Sequence, residues 1–212
     1  QQKLFNLNYF DNIYPIYTEV PNTNKLDITW YAREKPTGKA QIGGGYSSEE
    51  GLIGFIEIGE TNLLGRGYKL NFKYEHSQYR DDFNLNFTDP WFLHPWVLKK
   101  QLTLGFDVYH QQYDYYELFY KEYKNGLKFK LGKNFWRYFQ IFFEIRHDEI
   151  KLEVDDSDRQ SAPPDVIDNL GWNVTNEMSL RLSRDTRDYF FNPKRGTKLS
   201  VDMALAGNFI NG

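Results

Sequence analysis

The chain has 212 residues, a formal net charge of -3 from 26 basic and 29 acidic side chains, 18% aromatic residues and no cysteine. This composition excludes a disulfide framework and a thiolate metal site or nucleophile, and it supplies no global basic field for nucleic acid. No stretch reaches the roughly 18 consecutive apolar residues that a membrane-spanning helix needs, and the first residues lack the basic-then-apolar pattern of a secretory signal.

In chain order, residues 4–12 (LFNLNYFDN) read as the end of a helix, and IYPIYTEV and LDITWYARE read as two strands joined by the turn PNTN. Residues 1–36 are thus expected to be the tail of a small α/β module, closed by the boundary EKPTG. The chain starts inside this pattern and stops at AGNFING, so it reads as a piece of something longer.

From residue 37 onward the helical period gives way to a period of two. The first such stretch, KAQIGGGYSSEEG, sets Gly43, Gly44 and Gly45 in a row where a strand would be expected to carry packing side chains. Tyr68, Leu70, Phe72 and Tyr74 then alternate with Lys69, Asn71, Lys73 and Glu75, and Phe83, Leu85 and Phe87 with Asn84, Asn86 and Thr88. Leu127, Phe129 and Leu131 follow the same rule, as do Phe139, Ile141, Phe143 and Ile145, then Met178, Leu180 and Leu182, and Leu199, Val201 and Met203. Turn signals divide residues 38–207 into roughly nine strands of about ten residues or more, long enough to cross a bilayer at a tilt.

Alternation alone leaves open which face is wet, since a soluble sandwich turns its apolar face inward and a membrane barrel turns it to lipid. Three features favour the barrel. The connections are unequal, one being about 17 residues long. Aromatic residues gather at strand ends in DPWFLHPW, NFWRYF and DYFF, as in an interfacial girdle. Full charges (Lys73, Lys128, Lys130, Glu144, Arg181) sit at strand centres, where a packed soluble core would reject them.

The succession LFNLNYFDN, TGKAQIGGGYSSEEG, ETNLLGRGYKL, LNFTDPWFL and SRDTRDYFFNPKRGTKL resembles the BamA-type outer-membrane β-barrel assembly factors, a POTRA and transmembrane-barrel superfamily with mitochondrial and chloroplast members. Each motif alone is only a Gly or Pro turn; their order and spacing carry the resemblance over essentially the whole chain. It implies an all-β chain holding about nine strands of a sixteen-stranded antiparallel barrel (residues 37–212), preceded by the end of the last POTRA module. A nine-stranded sheet has two open edges that lipid does not tolerate, so the remaining strands are expected from further chain or another subunit.

The resemblance further implies residence in the bacterial outer membrane with the N-terminal segment in the periplasm, and insertion of β-barrel proteins without a catalytic residue, cofactor or metal. Its partners would be unfolded outer-membrane proteins, accessory periplasmic lipoproteins and outer-membrane lipid. The lateral gate strand maps to Lys39, Ala40, Gln41, Ile42, Gly43, Gly44 and Gly45, which would open and add the substrate strand by β-augmentation. Gly65, Gly67, Pro90, Pro193 and Gly196 are expected to shape turns. A secretion pore of the same superfamily and a passive porin are the alternatives; the module at residues 1–36 speaks against the porin.

Glycine has a second explanation at the gate: it accommodates a bulge, a bend or a bulky neighbour inside the barrel as readily as it weakens pairing. Elsewhere the plainer readings prevail. NLLGRG lacks the Lys-Ser/Thr ending of a phosphate loop, and DDSDRQ lacks the position-six Gly and terminal Glu of a calcium loop. His76, His94, His110 and His147 share no ligand spacing. Arg184, Asp185, Arg187 and Asp188 are expected to support a turn.

Overall fold

A computed structural model describes residues 7–21, 23–92, 102–189 and 192–207. Two antiparallel sheets form. The first pairs β1 (Phe10–Glu19) with β2 (Leu26–Glu34). The second is a nine-stranded meander of β3 (Gly38–Ser47), β4 (Gly51–Leu63), β5 (Tyr68–His76), β6 (Arg80–Phe92), β7 (Leu102–Tyr115), β8 (Tyr120–Phe135), β9 (Phe139–Glu153), β10 (Gly171–Asp185) and β11 (Lys198–Gly207), each hydrogen-bonded to its sequence neighbours.

The expected helix end is corrected where it can be seen. Phe10 to Asn12 belong to β1, because Asn8 takes a positive φ of 60° that breaks a helix, and Lys35 donates its backbone N–H to the Tyr9 carbonyl at 3.0 Å. That bond pulls the segment alongside the end of β2, where Phe10 faces Glu34. Residues 4–6 of that stretch lie outside the described residues. Tyr14 stacks on Tyr31 with ring centroids 5.0 Å apart and Ile13 is buried, which holds the hairpin together.

The strand count and alternation in the large sheet match the sequence expectation. Register follows from the side chains: Ile42 faces Ile56, Ile56 faces Tyr74, Tyr74 faces Phe83, and on the other face Glu57 lies opposite Lys73 and Lys73 opposite Asn84. A one-residue slip would exchange the two faces, so the pattern pins the pairing. The apolar face is the exposed one: Ile42 is 83% and Tyr46 80% exposed, and Val108, Leu127, Phe129, Phe143, Val201 and Leu205 are exposed with them. The polar face is more enclosed, with Asp148 only 2% exposed and Asp107 and Ser183 also buried. This inverts a soluble sandwich and is the arrangement of a membrane barrel wall.

One end of the sheet, beside the β1–β2 hairpin, carries the connections 64–67, 136–138 and 186–197 with the end of β6 and the start of β7; the other carries 48–50, 77–79, 116–119 and 154–170. Both ends therefore mix short turns with a longer segment, so loop length alone does not separate them. Aromatic residues gather at both ends: away from the hairpin, Tyr79 stacks on Tyr116 and Tyr115 on Tyr120 with centroids 4.5 and 4.6 Å apart. Phe135, Trp136 and Phe139 pack at the hairpin end with centroids 5.4 to 5.8 Å apart, and Trp136 is 81% exposed. Trp91 and Tyr138 lie at the same end, as a girdle would. His94 and Trp96 lie outside the described residues. In the long connection, residues 164–168 form a short helix, α1 (Pro164–Asp168), that buries Val166. Among the described residues no group of His, Cys, Asp and Glu is arranged to hold a metal.

Candidate functional site at the first strand of the large sheet

Strand β3 pairs with β4 along its whole length, from Gly38 opposite Glu60 to Ser47 opposite Gly51, and among the described residues its other edge carries no partner. All seven residues expected in the gate strand, Lys39 to Gly45, fall within it. Ala40, Ile42 and Gly44 share the apolar face; Lys39, Gln41, Gly43 and Gly45 share the polar one.

The three glycines prove to have different surroundings. A Cβ on Gly43 would stand 2.6 Å from the Phe55 ring, because the ring of its direct cross-strand partner lies over it. The same arrangement recurs on the polar face where Tyr109 covers Gly126 and Phe142 covers Gly132, each again a direct cross-strand pair. Aromatic cover of a cross-strand glycine is therefore a packing device used across this sheet, and Gly43 is one instance of it. Gly44 differs: it faces Gly54 on the apolar side, and a Cβ there would lie 2.9 Å from the Ile53 carbonyl oxygen. Gly45 and Gly54 have nothing within 4 Å of a would-be Cβ. Bare backbone at Gly44, Gly45 and Gly54, rather than the glycine run as a whole, sets this pairing apart.

The rest of the wall is tied by side chains. Lys73 reaches Glu75 at 2.7 Å, and Arg80 reaches Glu75 at 2.9 Å and Asp82 at 2.6 Å. Asp107 accepts from Asn86 and from Lys130, the latter at 2.7 Å. Asp148 accepts from the Tyr109 hydroxyl and lies 3.3 Å from Lys124 and 3.2 Å from Arg146, which also reaches Glu177 at 2.6 Å. Lys128 meets Glu144 at 3.4 Å, and Arg181 meets Asp202. The charges expected on the polar face are there, and they neutralise one another across strands β5 to β11. By contrast Lys39, Gln41 and Glu57 make no ion pair or side-chain hydrogen bond among the described residues.

The root of β3 is fixed instead by Glu60. Its Oε1 accepts the Thr37 hydroxyl and the backbone N–H groups of Thr61 and Asn62, the latter two at 2.7 and 2.8 Å. Nothing in the composition of ETNLLGRG marked Glu60 for this role; it emerges only when Gly38 is placed opposite it.

Gly65 and Gly67 take φ of 68° and 73° in the 64–67 turn, and the Gly67 N–H donates to Asn62 Oδ1 at 2.8 Å. A side chain at Gly67 would crowd the Trp91 Nε1 at 3.0 Å and the Tyr9 hydroxyl at 3.2 Å, so this turn also seats the hairpin segment, and burial there pushes the Tyr9 phenol up. Pro90 does not lie in a turn. It sits inside β6 where the register shifts between Asp89 and Phe92, and Asp89 accepts the Trp91 N–H at 2.8 Å; proline lacks an N–H, so an irregularity is where a strand admits it. Pro193 lies in the 186–197 connection. Gly196 has φ 97°, and a Cβ there would overlap the backbone of Thr186 and Arg187.

That connection is organised by its charges, as expected. Arg187 binds Asp185 through Nε at 2.9 Å and Nη2 at 2.7 Å. Asp188 Oδ1 accepts backbone N–H groups from Tyr189, Lys194 and Arg195 at 2.9, 3.0 and 3.2 Å. These bonds, chiefly from Arg195 and Lys194, hold the Asp188 carboxyl below its usual range.

The chloroplastic outer envelope protein 80 of Oryza sativa subsp. japonica is 33% identical over 96 residues, covering 42% of this chain and 14% of that protein. The outer membrane protein assembly factor BamA of Nitratidesulfovibrio vulgaris is 27% identical over 215 residues, covering 100% of this chain and 25% of its own length. This chain thus spans about a quarter or less of these relatives. The crystal structure of BamA from Haemophilus ducreyi lacking POTRA domains 1–3 superimposes with a TM-score of 0.63 at 20% identity, over 96% of this chain and 40% of that one. CdiB from Acinetobacter baumannii superimposes with a TM-score of 0.61 at 13% identity, over 96% and 39%. The model of the Omp85 superfamily domain matches residues 62–212. With its polar-lined, outwardly apolar meander and this match over most of its length, the chain belongs to the Omp85 superfamily.

Proposed function

We propose that this chain is the seam-bearing part of an outer-membrane β-barrel assembly factor, which inserts newly made barrel proteins by pairing their strands with the open edge of β3. One observation carries the reading: β3 is attached to the sheet by backbone bonds, the Phe55 ring over Gly43 and the Glu60 clamp, with no ion pair to β4 among the described residues, while the wall from β5 to β11 is laced by cross-strand ion pairs. Such a strand can exchange one neighbour for another, because main-chain bonds are indifferent to the partner's sequence. The bare backbone at Gly44, Gly45 and Gly54 lowers the side-chain contribution to closure at the same place. Catalytic residues, cofactors and metals have no part in this reading. The similarity to proteins named as outer membrane assembly factors supports it.

In this reading the β1–β2 hairpin lies in the periplasm as the end of a POTRA module, and unfolded outer-membrane proteins and accessory lipoproteins meet the protein there. Strands beyond this chain close the barrel against β3. The test uses the full-length protein in liposomes with an unfolded barrel substrate. Faster insertion than in protein-free liposomes is expected, together with crosslinks from single cysteines at residues 39–45 to the substrate's terminal strand. Export of a soluble polypeptide without accelerated insertion would replace this reading with the secretion-pore alternative.

A further inference from the structure

The outward face of the sheet carries a pattern that the assembly reading does not use. On β6, β8 and β10 the outward positions run from one polar residue to another eight positions on, with three apolar residues between: Asp81 to Asp89, Asn125 to Lys133, and Asn176 to Arg184. At the end away from the hairpin, each first residue is met by a histidine directly across the strand. His76 Nδ1 lies 2.7 Å from Asp81 Oδ1, His110 Nδ1 2.7 Å from Asn125 Oδ1, and His147 Nδ1 2.7 Å from Asn176 Oδ1. Three pairs of one geometry thus recur on successive hairpins.

These pairs are not in one register row. Asp81 stands opposite Gln112, two residues beyond His110, and Asn125 stands opposite Glu149, two residues beyond His147. The lower limit moves in step: Asp89 aligns through Leu104 with Leu131, two residues short of Lys133, and Lys133 aligns through Ile141 with Leu182, two residues short of Arg184. Two residues advance about 6.7 Å along a strand, while two strands advance about 9.6 Å across the sheet. The slope is about 35°, the tilt of strands in membrane barrels. In a sheet so tilted, the steps cancel the tilt and each line of polar residues becomes level. Eight residues at that tilt separate the two levels by about 22 Å, near the roughly 25 Å height of a barrel's apolar band.

We propose that these lines are where the chain meets lipid headgroups. The histidines of the three pairs lie at the headgroup layer of the leaflet away from the hairpin, His147 reaching it while Asn176 behind it is itself buried; Asp89, Lys133 and Arg184 lie in that of the leaflet beside it. Leu85, Phe129 and Leu180 occupy the bilayer midplane. The partner of this face is a phospholipid or glycolipid bilayer with a hydrocarbon layer of about 22 Å. Lys151, directly across from Tyr123 and Trp172, stands beyond the His line on the same face, its ammonium 6.0 and 5.8 Å from their rings, as interfacial side chains do. The inference rests on the membrane placement of the barrel and is independent of what the seam does.

These 212 residues contain no cysteine, and any cysteine elsewhere in the full-length protein is first replaced by serine. Phe72, Leu127 and His147 share one register row. Each is replaced singly by cysteine in the full-length protein, labelled with an environment-sensitive fluorophore, and placed in phospholipid vesicles containing depth-graded quenchers. The stepped line puts F72C about 11 Å, L127C about 5 Å and H147C about 0 Å below the boundary. F129C and L180C should match F72C. Equal depth for F72C and L127C would overturn the proposal even if H147C failed to fold. Absence of quenching at every site would overturn the membrane placement itself as well.

Discussion

Replacement of Gly43 by alanine separates the two roles that glycine can have at the seam. The new Cβ would stand 2.6 Å from the Phe55 ring, about 1 Å inside the ordinary carbon–carbon contact of 3.5–4.0 Å. The ring must leave its rotamer or β3 must shift, and overpacking of this kind costs about 1–3 kcal/mol. Removing glycine's backbone entropy from a strand offsets roughly 0.5–1 kcal/mol. The net expectation is destabilisation of about 1–2 kcal/mol, read as the change in urea midpoint of the full-length barrel followed by tryptophan fluorescence. In a Phe55→Ala background the ring is gone, and the same Gly43→Ala change becomes neutral or stabilising by up to about 1 kcal/mol. The coupling between the two sites is then about 2 kcal/mol. An identical Gly43→Ala effect in both backgrounds would refute the packing role and return Gly43 to the seam.

Gly45→Ala, with nothing near the new methyl group, should be neutral or slightly stabilising and should slow substrate insertion if bare backbone eases opening. Unchanged insertion kinetics in vesicles would separate Gly45 from that function. Gly196→Ala combines φ of 97° with overlap on the Thr186 carbonyl, so it should destabilise by about 2–4 kcal/mol and reduce the heat-modifiable folded fraction on gels; a wild-type fraction would contradict the turn geometry. Asp148→Asn leaves Lys124 and Arg146 short of their shared anion in an enclosed site and should cost about 2–3 kcal/mol, against under about 1 kcal/mol for the exposed Arg181–Asp202 pair, both read from urea midpoints. The depressed Asp188 carboxyl contributes to the 186–197 connection above the ordinary aspartate range near pH 3.9, and that contribution disappears as pH falls through its lowered folded value. Amide exchange at Lys194 and Arg195, corrected for intrinsic rates, should accelerate at pH below 3.9 in wild type; in Asp188→Asn it should lack that acid step.

The period-two alternation by itself determined the strand content and the two faces of each strand, because successive side chains point to opposite sides of a sheet; which face is turned outward was decided by the sheet, where the apolar one is exposed. The motifs at 38–51, 62–70 and 184–199 placed the seam and the glycine turns, since glycine adopts a positive φ at least cost, although Asn8, Leu64, Phe119 and Trp136 adopt it too. Pro90 and residues 10–12 escaped that logic: the first sits at a bulge and the second is recruited into a strand by pairing with the end of β2, and neither has a local signature. What only the tertiary structure decided is who stands across from whom. Register places Phe55 over Gly43, Glu60 under Gly38, and each histidine of the outward face beside its Asp or Asn. Those partners lie up to 39 residues apart in the chain, as with Tyr109 and Asp148. Their meeting depends on accumulated strand pairing, which no local window contains, and so the sequence named the residues while the sheet assigned their work.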